Sequence, residues 1–316
     1  MKTIIRIISF TLGLLVFVSC EKEIEFNGEI SSPMIVVNSY VSPDSAIYAH
    51  LTKSKFFLSS KEGFEYIDNA DVSVFVNRIF REKLNFTANG LYTGNLKPLI
   101  GDTIQLIVEV EGYEQVESTT IVQSRANVLS VDTTLVKYTD TYNSGEVIYF
   151  NLKIKDQADE KNYYRLTAKI RNEILIEDSL FVDEYFTNFA LEGFDSQSGS
   201  IIDLFENSMN TKDHHLITDD LFNGKELVFK ISTGFYRRVV PEQDEPKDIA
   251  TNDNNEYIIL NLQTISKDMY LYLKSKESAE QVLNNFFTEP VQIYNNINNG
   301  IGIFGSYANN EYKHKF

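Results

Sequence analysis

The chain has 316 residues, 43% of them hydrophobic and 23% charged, with 29 Lys and Arg against 45 Asp and Glu and a formal charge of −16. Such a composition excludes a mainly disordered chain, and the acidity excludes nucleic acid and electrostatic docking on anionic lipid, both of which need a basic face. A single Cys excludes an intrachain disulfide and any Cys-rich zinc or iron–sulfur site, while the length predicts about two domains.

Lys2 and Arg6 form a short basic start, and the apolar stretch Ile7 to Val18 follows it. That stretch is too short to span a hydrocarbon core of about 30 Å comfortably, and fits the hydrophobic region of an export signal. It ends in Phe17-Val18-Ser19-Cys20, a small residue directly before the only Cys of the chain. This ending resembles the lipobox of bacterial lipoproteins, with Phe17 where that motif usually has Leu. The resemblance implies cleavage after residue 19, a diacylglycerol on the Cys20 thiol and an acyl chain on the new amino group. Several acyl chains give durable anchoring, since each buried CH₂ contributes about 0.8 kcal/mol. Loss of Lys2 and Arg6 brings the mature charge to −18. The next residues, Glu21-Lys22-Glu23-Ile24-Glu25, resemble the Lys-plus-acidic export tag of surface lipoproteins; the resemblance implies outward display through Lys22 and Glu23, with a plain charged tether on the periplasmic face as the alternative.

From Met34 the apolar pattern has period two, the mark of half-buried strands. Strands are predicted at Met34–Tyr40, Ala46–Leu51, Val72–Val76, Ile79–Phe80, Lys83–Thr87, Leu91–Thr93, Thr103–Val110 and Tyr113–Val122. Turn chemistry separates them at Ser42-Pro43-Asp44-Ser45, Asn77-Arg78, Ala88-Asn89-Gly90, Gly101-Asp102 and Glu111-Gly112. Short strands at 8–12-residue spacing predict a β-sandwich, Ig-like or transthyretin-like, over residues 33–123. Residues 20–32 then form an acidic tether behind it.

Gln123 to Asn127 reads as a linker, and residues 128–316 as a second β-rich domain, a sandwich or barrel-like sheet with one helix. Its strands are predicted at Val128–Val136, Val147–Ile154, Tyr163–Ile170, Ile174–Leu180, Leu227–Ile231, Tyr257–Leu262, Val291–Tyr294 and Ile301–Phe304. The helix is predicted over residues 266–284, with Ser266 as N-cap and Asp268 at the positive end of the dipole. Two aperiodic segments stand out, Thr187–Asp220 with His214-His215, and Arg237–Glu256 with Asp244 and Asp248. Loops of that length are uncommon in compact domains and often functional, so these four residues are the candidate recognition groups.

The tail Glu289-Pro290 to Gly305, with its Asn-Ile turn and Gly-x-Gly-x-Phe strand, follows a helix carrying Tyr270-Leu271-Tyr272-Leu273. With the lipobox, the opening strand MIVVNSYVSP, Asn162-Tyr163-Tyr164 and Asp219 to Lys225, this order of motifs resembles the domain-of-unknown-function 4249 family over nearly the whole mature chain. The resemblance implies an outer-membrane lipoprotein, often made alongside TonB-dependent transporters, and brings no catalytic residues with it.

Catalytic and cofactor motifs are tested one by one. Gly300 to Gly305 matches G-x-G-x-x-G literally, yet too few residues follow for the helix and acidic partner of a dinucleotide site. A glycine-rich strand admitting a close backbone approach is the alternative. His214-His215 lack metal-ligand spacing, and the acidic groups Asp156, Asp159, Glu160 and Asp248, Asp253, Glu256 lack the calcium-loop ladder. No nucleophile elbow exists, and no two of 45 carboxylates are singled out as a glycosidase pair. The expectation is a non-enzymatic surface module without metal or cofactor that binds a ligand or partner, with an outer-membrane transporter as one partner. A structural or adhesive module and a hydrolase with an unrecognised carboxylate pair are the alternatives.

Overall fold

A computed structural model describes residues 32–56, 63–139, 144–158, 160–176, 179–192, 213–233, 254–283, 289 and 291–315. The export signal, Cys20, Lys22, Glu23, Asp244 and Asp248 lie outside the described residues. The first strands are β1 (Ile35–Val41), β2 (Tyr48–Lys53), β3 (Asp71–Val76), β4 (Ile79–Lys83), β5 (Asn85–Ala88), β6 (Leu91–Thr93), β7 (Thr103–Glu109) and β8 (Val116–Ile121). Their alternation does what period two requires: Ile35, Val37 and Val41 of β1, Val72, Val74 and Val76 of β3, and Ile104, Leu106 and Val108 of β7 all enter one core. Two hairpins turn through consecutive left-handed residues, Asn77 and Arg78 (φ 52° and 69°) and Asn89 and Gly90 (φ 49° and 71°). Such turns match the twist of the strands they join.

Beyond Ala126 come β9 (Asn127–Thr139), β10 (Ser144–Lys155), β11 (Tyr163–Ile176), β12 (Ser179–Phe186), β13 (Phe189–Glu192), β14 (His214–Thr218), β15 (Glu226–Thr233), β16 (Asn254–Ile265), the helix α1 (Lys267–Leu283) and β17 (Ile301–Lys315). A second core gathers Ile148, Phe150, Leu152 and Ile154 from β10, Tyr164, Leu166, Ala168 and Ile170 from β11, and Ile258, Leu260 and Leu262 from β16. Each fully buried side chain of this size stabilises the fold by about 1.5–3 kcal/mol.

One long sheet carries both halves, in the order β5-β6-β2-β1-β17-β16-β11-β12, with β14 beside the other part of β11. Four-stranded sheets β4-β3-β7-β8 and β13-β15-β10-β9 supply the facing layers of a first and a second sandwich. β17 joins them. Its first half lies parallel to β1, from Val36↔Ile301 to Val41↔Ser306. Its second half lies antiparallel to β16, from Ile265↔Tyr307 to Tyr257↔Lys315. Phe304 and Ile297 therefore belong to the first core, although they follow the second sandwich in sequence.

Gly302 explains how β17 fits. Its φ of 121° is open to glycine alone, and a Cβ there would fall inside the Val37 carbonyl oxygen. Gly305 similarly leaves room for Met269 of α1. The glycine-rich run is thus the close backbone approach that its sequence suggested.

Several predicted elements change. Thr187–Asp220 is not aperiodic throughout, because β13 and β14 lie within it; strands of four and five residues are too short to establish a period. Val291–Tyr294 is not a strand but runs beside α1, where the Tyr294 N–H donates to Ser275 Oγ (2.8 Å). The final strand continues to Lys315, its last residues alternating between half-buried and exposed rather than between apolar and polar. The predicted strand Ile174–Leu180 spans the end of β11 and the start of β12.

Candidate functional site

Alternation along β11 sends Tyr164, Leu166, Ala168 and Ile170 into the second core. The opposite parity, Tyr163, Arg165, Thr167 and Lys169, therefore lies on the outer face of the long sheet. α1 covers part of that face. Ser266 caps the helix, its Oγ accepting the N–H of Met269 (3.3 Å) and also that of Ser306 (3.1 Å). Met269 packs with Leu216 and Ile265 in a small third cluster flanked by Tyr40, Tyr163, Tyr270, Leu273 and Tyr307. The rings of Tyr163 and Tyr270 lie 4.9 Å apart. Below the cap, the Tyr294 hydroxyl donates to Asp268 (2.5 Å), and its pKa is pushed up to about 12 by burial first and by that carboxylate second.

His214 ties α1 to the sheet. Its Nδ1 lies 2.7 Å from Asp213, and its Nε2 lies 3.0 Å from Glu277 Oε1 on α1, an approach that misses the hydrogen-bonding direction. Arg165 sits in the same field. Burial lowers its pKa, while Asp213, Tyr40, Glu277 and Tyr307 act to hold it up, and its Nε has no hydrogen-bond partner among the described residues. Burial likewise raises Tyr40, Tyr272 and Tyr307 above the usual phenol range. This arrangement is an electrostatic clasp that closes α1 on the sheet. It orders charge without presenting a nucleophile beside a base.

The two adjacent histidines are not brought together. His215 faces inward, its Nε2 lying 3.2 Å from the Phe189 carbonyl and its ring 4.8 Å from the Phe189 ring. His214 and His215 occupy opposite faces of β14 and cannot share a ligand. Among the described residues no group of three or more His, Cys, Asp and Glu is placed to hold a metal. Two acidic residues turn out to be turn anchors. Asp156 accepts the Tyr164 hydroxyl (2.5 Å) and the Gly224 N–H (2.8 Å), and Asp219 accepts the Asn162 N–H (2.7 Å). Burial raises Asp219, and Asp156 and Asp220 nearby add to the rise.

The more distinctive surface is β12. Among the described residues it ends the long sheet and pairs with β11 alone, and all eight of its residues are exposed. Leu180 (59% exposed), Phe181 (56%) and Phe186 (51%) stand out from it, with Val182 and Tyr185 beside them. Lys169 and Arg171 of β11 hold Glu184 at 2.6 Å and 3.7 Å, so the strand's acidic side chain is answered from its own sheet. A long apolar edge strand presents a row of free N–H and C=O groups, the usual template for adding another strand. Sequence reading missed it. Its apolar residues fall on both parities, a pattern that ordinarily signals burial on both faces.

Comparison with known proteins adds little chemistry. No curated protein matches the chain. A solved structure described as Enterococcal surface protein, partial N-terminal region, is similar at 10% identity, covering 76% of this chain and 93% of that one with a TM-score of 0.18. The family described as Domain of unknown function (DUF4249) matches residues 21–313. That match takes in the tether, both sandwiches and nearly all of β17, and the protein therefore belongs to this family.

Proposed function

We propose that the protein is a lipid-anchored outer-membrane lipoprotein of the cell surface, a non-enzymatic module that binds a partner through its second sandwich, with an outer-membrane transporter as that partner. The observation that carries the binding reading is β12, an exposed apolar edge strand of eight residues. Its occupant on this reading is an extended apolar segment of the partner, taken up by main-chain pairing. The anchor rests on Cys20 at the end of an export signal, and surface display on Lys22 and Glu23. Thr187–Asp220 and Arg237–Glu256 fall in sequence within the second β-rich half, and the acidic Asp244 and Asp248 suit a cationic rim on the partner.

Site-specific photo-crosslinking on intact cells tests the binding reading. A crosslinker in place of Tyr185 should capture one defined membrane protein, and a crosslinker in place of Arg81 on β4 should not. Equal capture from both positions, or none from β12, overturns it. The display signal is tested separately by changing Lys22 and Glu23 to Ala. That double variant should keep its lipid but become resistant to protease added to intact cells; unchanged cleavage refutes the signal.

A further inference from the structure

We infer that the end of the first sandwich where the chain enters β1 rests against the bilayer that holds the anchor, with Met34, Phe64 and Tyr66 as the contacting side chains. This inference depends on the lipid-anchor reading above.

Three adjacent chain segments end together there. The Met34 N–H donates to Ser54 Oγ and the Ser54 N–H to the Met34 carbonyl, both at 2.8 Å. The Lys53 N–H donates to the Glu65 carbonyl (2.8 Å), and Tyr66 bridges Thr52. Met34, Ser54 and Phe64 consequently lie in a row at one rim. Phe64 is 68% exposed, Tyr66 46% and Met34 41%. A lone exposed apolar residue is ordinary, whereas a group of them marks a contact; Ile79, Leu99 and Ile100 are exposed at the opposite end too, so exposure alone does not choose between the ends.

The position of the anchor says what that contact is. Thirteen residues separate Cys20 from Met34. Whatever its path, a chain of that length reaches at most about 45 Å, and it joins the described residues at this rim. The lipid at Cys20 therefore holds this rim, rather than the far end of the molecule, next to the membrane. Aromatic residues favour the boundary between headgroups and acyl chains, where ring and polar tip are each satisfied. Tethering raises the local concentration of lipid enough for a few such side chains to hold an orientation. Near the rim are Glu65, paired with Lys53, the exposed Lys55, and Asp68, Glu111 and Glu114; with four acids against two lysines it has no basic excess, so the surface it suits has neutral headgroups.

The absence of Trp from the chain makes the test direct. Phe64→Trp gives a single reporter in the lipidated protein, reconstituted in phosphatidylcholine vesicles with or without bromine on the acyl chains. Glu114→Trp, at the same end but on the loop between β7 and β8, controls for simple proximity, and Leu180→Trp on β12 for the far sandwich. The inference expects blue-shifted emission and bromine quenching at position 64, weaker quenching at 114 and none at 180. Met34→Ser added to the Phe64→Trp variant should weaken the quenching, and Tyr66→Trp should report the same contact as position 64. Equal quenching at 64 and 114, or none at 64 in protein whose acyl groups are verified by mass spectrometry, overturns the inference and leaves the anchor standing. A mass without acyl groups overturns the anchor itself, and the orientation with it.

Discussion

Gly302 and Gly101 both hold positive φ, 121° and 86°, yet only Gly302 has a backbone atom where its Cβ would go. Gly101→Ala should therefore cost only its backbone strain, about 1 kcal/mol, whereas Gly302→Ala should cost about 3 kcal/mol or more, because β1 and β17 must separate. Urea denaturation of the two variants measures the difference, and equal losses would remove the close-approach argument. Asp219 makes a pH-dependent prediction. Its native pKa is raised, chiefly by burial, so its contribution to stability is whole below the unfolded carboxylate pKa and is lost as pH rises through the native value. Asp219→Asn keeps an acceptor for the Asn162 N–H and carries no charge to bury. The variant should lose less stability than the parent as pH rises above the ordinary carboxylate range of about 4. Parallel pH profiles in urea melts would show that the carboxyl is not the cause. Arg165 was legible in part, since alternation along β11 assigns it to the face away from the core. Its neighbours Asp213 and Glu277 were not, because they come from other elements.

α1 was readable from its residues. Ser266 and Asp268 specify its start and Met269, Leu273, Val282 and Leu283 its apolar face; the structure has Ser266 as cap and Asp268 in the first turn, and packs Met269 and Leu273 into the third cluster. Ser266→Ala removes the cap and also deprives the Ser306 N–H of its acceptor, so a loss of about 1–2 kcal/mol is expected in chemical denaturation. A loss within about 0.5 kcal/mol, the scatter of ordinary surface substitutions, would contradict the double role. β12 should behave in the opposite way. Phe181→Lys with Tyr185→Lys should change stability by no more than about 0.5 kcal/mol, because both side chains face solvent. The same pair should abolish crosslinking from β12. A large stability loss would mean that the strand is covered within the protein itself.

β17 pairs with β1 in one sandwich and with β16 in the other, so the two are expected to unfold as one cooperative unit. Unfolding followed by probes in each sandwich should give coincident transitions, and removal of residues 301–315 should lower the stability of both. Well-separated transitions would mean that the two cores fold independently and that β17 only links them. Cys20→Ala belongs to this scale as well. It should release the protein from membranes and leave the urea midpoint unchanged, because the residue lies ahead of both cores.

The sequence by itself determined most strands of the first sandwich, though not the break between β4 and β5, together with the hairpin turns at Asn77-Arg78 and Asn89-Gly90, the helix, and the family. All of these are carried by neighbouring residues: side-chain alternation, turn conformations and caps act over a few positions of chain. Only the tertiary structure decided that β17 returns to lie parallel to β1, that His214 and His215 face opposite ways, and that β12 is the edge of the long sheet among the described residues. Those outcomes depend on which strand lies beside which. A strand's pattern shows that it has a face to bury, and the partner that buries it is chosen by packing across the whole chain.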